Sequence, residues 1–254
     1  MTVHFVGAGP GAADLLTVRA TDLLAAADVV LYPGTYLDEA VLSYCRPGAE
    51  LIDTQDLTLE AMIDIQVTNS RAGRVVVRLT SGDPSLYSAL TEQTSRLDAA
   101  GVGWDVCPGV PAYAAAAALV GAELTVPLVA QSVVLTRTQA RSTEMPSTES
   151  LQAYAATRAT LVLHLGITRI RDLMADVAPF YGEDCPVVVV HRASQPGEQV
   201  LRGTVGTIAE AVERVGLKQA AIILVGRALE RDGGESYLYA ASRDRRAKRG
   251  ESES

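Results

Sequence analysis

The residues best suited to chemistry lie where an apolar run ends in a turn of small residues with one carboxylate. Val75 to Leu79 is typical of a buried strand, and Ser81-Gly82-Asp83-Pro84 follows almost at once. Ligands of open α/β sheets bind beyond the carboxyl ends of the strands, so the pattern predicts a ligand site at this turn. An ordinary strand-to-helix turn, with Asp83 as N-cap and Pro84 in the first helical position, is the alternative.

A second turn of this kind follows the first apolar run. Gly7-Ala8-Gly9-Pro10-Gly11-Ala12 fits the dinucleotide fingerprint Gly-x-Gly-x-x-Gly/Ala. However, Pro10 has no amide hydrogen to offer a pyrophosphate, and Tyr32-Pro33-Gly34 stands where the acid that binds ribose is expected. A nucleotide-dependent oxidoreductase is therefore disfavoured, although it stays an alternative.

These turns require strands to position them, and the chain supplies strands and helices in alternation. The alternation predicts an α/β fold with two α/β domains. Residues 123–127 have the broken, Pro-bearing character of a connection between domains. We expect an N-terminal domain at 1–126, a C-terminal domain at 127–240 and a disordered tail at 241–254.

Local patterns give some finer expectations. A helix is predicted at Pro84–Ala99, and Arg141–Glu149, rich in Ser, Thr and Glu, is predicted to be a mobile loop. Gln199–Thr204 is expected to run antiparallel to Val187–His191, which would give the second domain a mixed sheet.

Composition limits the classes of function. A hydrophobic fraction of 48% suits a buried core, and a net charge of -8 disfavours nucleic acid as a partner. The N-terminus lacks a signal peptide, and no apolar run is long enough to span a membrane, so we expect no membrane association. The three cysteines and three histidines are too scattered for a disulfide framework or a metal site. These features indicate a cytoplasmic protein that needs no metal.

Five motifs carry a resemblance to a known family: Val6-Gly-Ala-Gly-Pro-Gly11, Asp14-Leu-Leu-Thr17, Ala27-Asp-Val-Val30, Ser81-Gly-Asp-Pro84 and Cys107-Pro-Gly-Val110. In order and spacing they resemble the tetrapyrrole methyltransferases that use S-adenosylmethionine, over about residues 2 to 240. Within that family, Ala122–Pro127, Gln131–Arg137 and Val188–Ala193 look most like the enzymes that methylate precorrin-4 at C11 in corrin (cobalamin) biosynthesis.

The resemblance implies a fold and an activity. The fold would be two α/β domains with the cofactor in the cleft between them, usually in a homodimer. The activity would be transfer of a methyl group from S-adenosylmethionine to C11 of precorrin-4 or cobalt-precorrin-4, leaving S-adenosylhomocysteine. Methylation of another precorrin position or of uroporphyrinogen III, diphthine synthesis and passive tetrapyrrole binding remain alternatives.

The resemblance also implies which residues contact the cofactor. They are Gly9, Pro10, Ser81, Gly82, Asp83, Leu86, Pro111, Ala112, Leu165, Ala193 and, as a looser match, Ala228. The chain departs from the family pattern at Ala12, where an Asp is usual, and at Pro33-Gly34, where relatives often carry an Asp proposed to act on the substrate. Pro111 also replaces a hydroxyl residue.

The substrate calls for positive charge but for no covalent nucleophile. Because a precorrin carries several carboxylates, we expect Arg137, Arg192 and Arg227 to bind it, with structural salt bridges as the alternative. The methyl acceptor is an electron-rich ring carbon, so no catalytic residue is assigned. His164 and His191 could accept a proton after methylation, although a lone histidine at a strand end is more often structural.

Overall fold

The computed structural model describes residues 2–34, 37–138, 144–230 and 236. The chain forms two compact units. The first comprises Met1–Val120, Val190–Val200 and Gln219–Ile222, and the second comprises Gly121–Val189, Leu201–Lys218 and the chain from Ile223 onward. A compact unit of the structure is not necessarily a domain that folds on its own, so the predicted domain boundary at residue 126 stays a prediction.

The first unit is built on a parallel sheet of five strands in the order β3-β2-β4-β1-β5. The strands are β1 (Thr2–Gly7), β2 (Val29–Tyr32), β3 (Glu50–Asp53), β4 (Val76–Thr80) and β5 (Gly103–Cys107). The helices are α1 (Val18–Ala26), α2 (Glu39–Leu42), α3 (Leu59–Arg71), α4 (Leu90–Ala99) and α5 (Ala112–Val120). This alternation confirms the predicted α/β class.

Alternate residues of the strands build two cores, one on each face of this sheet. Val30 packs in a cluster with side chains of α1 and α2, whereas its neighbours Val29 and Leu31 pack with side chains of α3 and α4. All three are fully buried, and each such side chain contributes roughly 1.5–3 kcal/mol. With both faces covered, the edge where the strands end is the place where this sheet can meet a ligand.

Side-chain caps fix the start of several helices. Thr17 accepts a hydrogen bond from Ala20 N at 3.1 Å at the start of α1, and Thr58 accepts one from Ala61 N at 3.2 Å at the start of α3. Such a cap contributes about 1 kcal/mol. Between β1 and the capped start of α1, the glycine loop contains no helix or strand other than a short 3₁₀ turn at Ala13–Leu15.

The second sheet has the strand order β6-β7-β10-β8-β9. Its strands are β6 (Val133–Arg137), β7 (Thr160–His164), β8 (Pro186–His191), β9 (Gln199–Thr204) and β10 (Ala221–Val225), and its helices are α6 (Leu151–Ala155), α7 (Ile170–Tyr181) and α8 (Ile208–Val215). β6 runs parallel to β7, and β10 runs antiparallel to β7, so this sheet is mixed. The antiparallel course of β9 against β8 stays a prediction.

The predicted helix at Pro84–Ala99 is wrong in its first turn and a half. Helix α4 begins at Leu90, because Tyr87 and Ala89 adopt left-handed φ values of 53° and 55° that no right-handed helix accommodates. The short helix α6 was not predicted. Of the predicted mobile loop, residues 141–143 lie outside the described residues, as does the tail at 241–254. No helix of the described chain has the length and apolarity that crossing a membrane requires.

Candidate functional site

Three turns meet at one edge of the first sheet. They follow β4, β1 and β5, which are neighbours in the sheet, and all three strands are parallel. Their carboxyl ends therefore lie side by side. The site that the sequence predicts at Ser81–Pro84 is built from these turns.

Glycines let the three backbones touch. A Cβ atom on Gly7 would lie 2.5 Å from Gly109 N and 2.8 Å from Gly82 O, and one on Gly109 would collide with the same carbonyl oxygen. No side chain fits at either position, because the atoms in the way belong to the backbone. The three turns are thus packed main chain against main chain.

Hydrogen bonds join the first two turns. Gly9 N donates to Gly82 O at 3.2 Å, Gly82 N donates to Gly9 O at 2.8 Å, and Ala8 N donates to Thr80 O at 2.8 Å. Gly82 has a φ of 68°, which glycine adopts at little cost. These hydrogen bonds therefore hold the loop after β1 against the turn after β4, beyond the end of the sheet.

These hydrogen bonds decide what the glycine loop can bind. Among loop residues 8–12, the N–H groups of Ala8, Gly9 and Ala12 all donate to acceptors of the protein, and Pro10 has none. Only the Gly11 N–H is left for a ligand in this part of the described chain. A pyrophosphate needs several converging N–H donors, so the geometry disfavours a dinucleotide.

Asp83 joins the second turn to the third. Its Oδ2 accepts a hydrogen bond from Gly109 N at 2.8 Å, and its Oδ1 accepts bonds from the Ser85 N–H at 2.9 Å and from the Ser85 hydroxyl. Partial burial alone would raise the pKa of Asp83, but these hydrogen bonds outweigh it and hold the pKa below its ordinary value. Asp83 is therefore ionised, and it is not the N-cap of a helix, so the alternative of an ordinary strand-to-helix turn is wrong.

The third turn leads into α5 next to Gly82. A Cβ atom on Gly82 would lie 3.6 Å from Ala112 N and 3.6 Å from Pro111 Cα. The structure thus brings together most of the cofactor contacts predicted for the first half of the chain. Of these residues, Ser81 is exposed, whereas Leu86, Pro111 and Ala112 are half-buried.

The segment after β8, which belongs to the first unit, also reaches the glycine loop. Ala193 is buried, whereas Arg192 is exposed and has a left-handed φ of 50°. The next two residues, Ser194 and Gln195, contact the glycine loop directly. Neither residue was predicted from the sequence, where the one local signal near them is the Pro196-Gly197 turn that follows.

The second unit has its own group of predicted residues at the carboxyl ends of β6 and β7. Arg137 and His164 are opposite each other in these strands. Burial lowers the pKa of His164 to about 4, so its imidazole is neutral at physiological pH. Leu165 follows with a left-handed φ of 56° and is 59% exposed. A large apolar side chain exposed on strained backbone is typical of a ligand contact.

The remaining predicted residues lie in the 3₁₀ turn Arg227–Glu230. Arg227 forms ion pairs with Asp184 at 2.7 Å and with Glu230 at 2.6 Å, and these hydrogen bonds raise its pKa. Ala228 is 2% exposed. Within the second unit both residues have structural contacts, so their predicted roles at the ligand stay predictions.

Comparison with known proteins identifies the fold and its use. The model of the tetrapyrrole (corrin/porphyrin) methylases matches residues 2–209. The chain belongs to this family. It is therefore a methyltransferase that takes its methyl group from S-adenosylmethionine, as the sequence predicted.

Individual relatives extend the match. The chain is 50% identical to a precorrin-4 C(11)-methyltransferase of Rhodococcus erythropolis, over 96% of this chain and 99% of the relative. The solved structure of a cobalt precorrin-4 methyltransferase of cobalamin biosynthesis is 39% identical with a TM-score of 0.87, covering 90% of this chain and 95% of the other. A uroporphyrin-III C-methyltransferase from Thermus thermophilus, complexed with S-adenosylhomocysteine, is 28% identical with a TM-score of 0.76, covering 91% and 100%.

The described residues fit S-adenosylmethionine better than they fit a dinucleotide. The first unit offers the exposed Ser81 and the half-buried apolar Leu86, which suit a cofactor that has no phosphate groups. In the second unit, the exposed Leu165 suits the apolar face of an adenine. Neither group of residues requires a phosphate.

Proposed function

We propose that this chain methylates precorrin-4 at C11 in cobalamin biosynthesis, with S-adenosylmethionine as the methyl donor. The observation that carries the proposal is the identity of 50% over 96% of the chain with the methyltransferase of Rhodococcus erythropolis. The identity with the cobalt precorrin-4 methyltransferase is lower, at 39%. This difference favours the metal-free tetrapyrrole as substrate.

The turns of the first unit are the main part of the proposed cofactor site. Gly9, Pro10 and Gly82 supply backbone that a cofactor can approach closely, and Ser81 and Leu86 supply a polar and an apolar contact. Asp83 acts indirectly, because its carboxylate already accepts three hydrogen bonds that fix the turns. The remaining proposed contacts are Pro111, Ala112, Ala193, Leu165 and Ala228.

The chemistry requires orientation rather than a covalent nucleophile. The sulfonium of the cofactor activates its methyl group, and the acceptor is an electron-rich ring carbon that must approach in line with the breaking C–S bond. Holding two reactants in such a geometry is worth roughly 7–11 kcal/mol in favourable cases. A rigid edge built from backbone contacts is suited to this task, because it has few side-chain rotamers to order.

Binding of the substrate carboxylates is assigned to arginines that lie at or just beyond the ends of strands, as the family resemblance implies. Arg192 is exposed and forms no ion pair with the described residues. Arg137 lies at the carboxyl end of β6, opposite His164 of β7. Arg227 has less support, since Asp184 and Glu230 already engage both of its terminal nitrogens. We therefore propose Arg137 and Arg192 as the principal contacts with the substrate carboxylates.

Two further proposals concern the protein as a whole. We propose a homodimer, on the basis of the family resemblance and of edge strand β5, where Trp104 is 39% and Val106 is 38% exposed. We propose a cytoplasmic location, on the basis of three free cysteines in the described chain. Light scattering of the purified protein tests the first, and a monomer at micromolar concentration would contradict it.

The decisive experiment is incubation of precorrin-4 with the protein and methyl-labelled S-adenosylmethionine, followed by mass spectrometry and carbon NMR. We expect one added methyl group at C11. Label at another carbon would correct the position of methylation, and transfer to cobalt-precorrin-4 alone would correct the form of the substrate. Transfer only to uroporphyrinogen III, or to no tetrapyrrole, would overturn the proposal.

A further inference from the structure

The glycine loop after β1 is held on its outer side by two side chains from a distant part of the sequence. Gln195 Nε2 donates a hydrogen bond to Pro10 O at 2.6 Å, and Ser194 Oγ accepts one from Ala12 N at 3.3 Å. These contacts join residues 182 and 185 positions apart within the first unit. They engage the Pro10 carbonyl and the Ala12 N–H, the backbone groups on either side of Gly11.

The absence of a side chain at Gly11 makes the contact close. A Cβ atom at this position would collide with Cγ of Gln195 and lie 2.7 Å from its Cδ and Nε2. The side chain of Gln195 therefore packs across the Gly11 backbone and also bonds to the preceding carbonyl. Side-chain packing and hydrogen bonds together hold this side of the loop.

The two residues are themselves fixed in a tight turn. Gln195 N donates to Arg192 O at 2.9 Å, Glu198 N donates to Gln195 O at 3.1 Å, and Ser194 N donates to the Glu198 carboxylate at 2.8 Å. Arg192 and Ser194 have left-handed φ values of 50° and 63°. Non-glycine residues adopt such backbone at a cost, and strain of this kind is found mainly where function requires a fixed geometry.

We propose that Ser194 and Gln195 are positioning residues that fix the loop from Pro10 to Ala12 in the conformation that binds S-adenosylmethionine. The hydrogen bonds of β4 hold the inner side of this loop, at Ala8 and Gly9, and the Ser194–Gln195 pair holds its outer side. With both sides held, the loop from Pro10 to Ala12 does not need to reorganise when the cofactor binds. This inference rests on the use of S-adenosylmethionine but not on the identity of the tetrapyrrole.

The first test is binding of S-adenosylhomocysteine by calorimetry, which does not depend on methyl transfer. Gln195→Met keeps the length of the side chain and removes the donor, so we expect about 5-fold weaker binding. Gln131→Met is the matched control in the second unit, because Gln131 Nε2 likewise donates to a backbone carbonyl, that of Thr125, at 3.1 Å. It should leave the affinity unchanged.

The Ser194 contact needs a pair of variants. Ser194→Ala removes the hydroxyl but keeps the strained backbone, whereas Ser194→Gly removes the hydroxyl and relieves the strain. Weaker binding in both variants would assign the effect to the hydroxyl. In free protein, hydrogen exchange at the Ala12 amide should also become faster in both.

Kinetics separate a positioning role from a structural one. In Gln195→Met we expect KM for S-adenosylmethionine to rise about 5-fold, with KM for the tetrapyrrole unchanged. A merely structural role would lower the amount of folded enzyme and leave both KM values as they are. Unchanged affinity for S-adenosylhomocysteine in both Gln195→Met and Ser194→Gly would overturn the inference, whichever tetrapyrrole the enzyme methylates.

Discussion

At the scale of single residues, the carboxylate of Asp83 joins two turns of the candidate cofactor site. It accepts three hydrogen bonds, two of them from backbone N–H groups on different turns. Hydrogen bonds to an ionised acceptor are stronger than neutral ones. The geometry of the site therefore depends on a charge that need not touch the ligand.

Asp83→Ala should lower both stability and cofactor affinity. We expect the free energy of unfolding to fall by about 1–2 kcal/mol, because the N–H groups of Ser85 and Gly109 lose a charged acceptor. The folded pKa of Asp83 is depressed, so its contribution is complete above the ordinary carboxyl range and is lost as the pH falls through the folded pKa. Urea unfolding at neutral pH, with and without S-adenosylhomocysteine, measures both effects. An unchanged midpoint in both conditions would show that the tie is dispensable.

His164 gives the second unit a different dependence on pH. Burial lowers its folded pKa from 6.5 to about 4, so between these values the unfolded chain binds a proton that the folded chain does not. Stability is therefore lost as the pH falls from 6.5 toward 4, by up to about 3 kcal/mol. His164→Gln should unfold less steeply with acid than the unaltered protein. Thermal unfolding from pH 8 to pH 4 tests this, and parallel curves would contradict it.

At the scale of elements, the start of α4 is set by backbone conformation rather than by a cap. Ala89 precedes the helix with a φ of 55° and makes no side-chain cap. The six residues from Pro84 to Ala89 are thereby kept out of the helix and beside the site. Because α4 begins only at Leu90, the residues before it remain available to the candidate site.

Ala89→Gly should therefore stabilise the protein. A left-handed conformation costs an alanine roughly 1–2 kcal/mol more than a glycine, and we expect a gain of about 1 kcal/mol after the entropy of the unfolded glycine is subtracted. Ala100→Gly, at the other end of the same helix with a φ of -86°, is the matched control and should be neutral or destabilising. Equal changes in the two unfolding midpoints would show that the backbone at Ala89 is not strained.

At the scale of the whole molecule, an acidic protein must bind an acidic substrate. The net charge of -8 repels the carboxylates of a precorrin at long range, whereas the arginines proposed to bind the substrate, Arg137 and Arg192, would attract them locally. The balance of the two depends on ionic strength. If the arginines dominate, salt should weaken binding of the substrate.

We therefore expect KM for precorrin-4 to rise with salt in the unaltered enzyme and to rise less in Arg192→Ala. Arg214→Ala is the control, because Arg214 is an exposed arginine on α8 that pairs with Glu210. It should keep the salt dependence of the unaltered enzyme. Steady-state kinetics between about 0.01 M and 0.15 M salt cover the useful range of screening. A KM that falls with salt in every variant would show that long-range repulsion dominates.

How far the sequence predicts this molecule depends on the range of the interaction concerned. The apolar run to Leu79 and the small residues after it were sufficient to predict the strand and the turn, whereas the ligand site at this turn stays a prediction. The late start of α4 was not predictable, because Tyr87 and Ala89 are not residues that signal left-handed backbone. Ser194 and Gln195 were missed because their contacts lie more than 180 positions away, where no local pattern reports them.

The backbone contact of Gly7, Gly82 and Gly109 also bears on how this enzyme can be altered. A mutation that enlarges Gly7 or Gly109 cannot be rescued by shrinking a neighbour, because every obstructing atom there is main chain, and at Gly82 the left-handed φ of 68° disfavours any other residue. If the proposed site is right, adaptation to a bulkier analogue of the cofactor must therefore proceed through Ser81, Leu86 and Pro111, whose side chains can be exchanged. The three glycines form the part of the site that selection, natural or directed, has to leave alone.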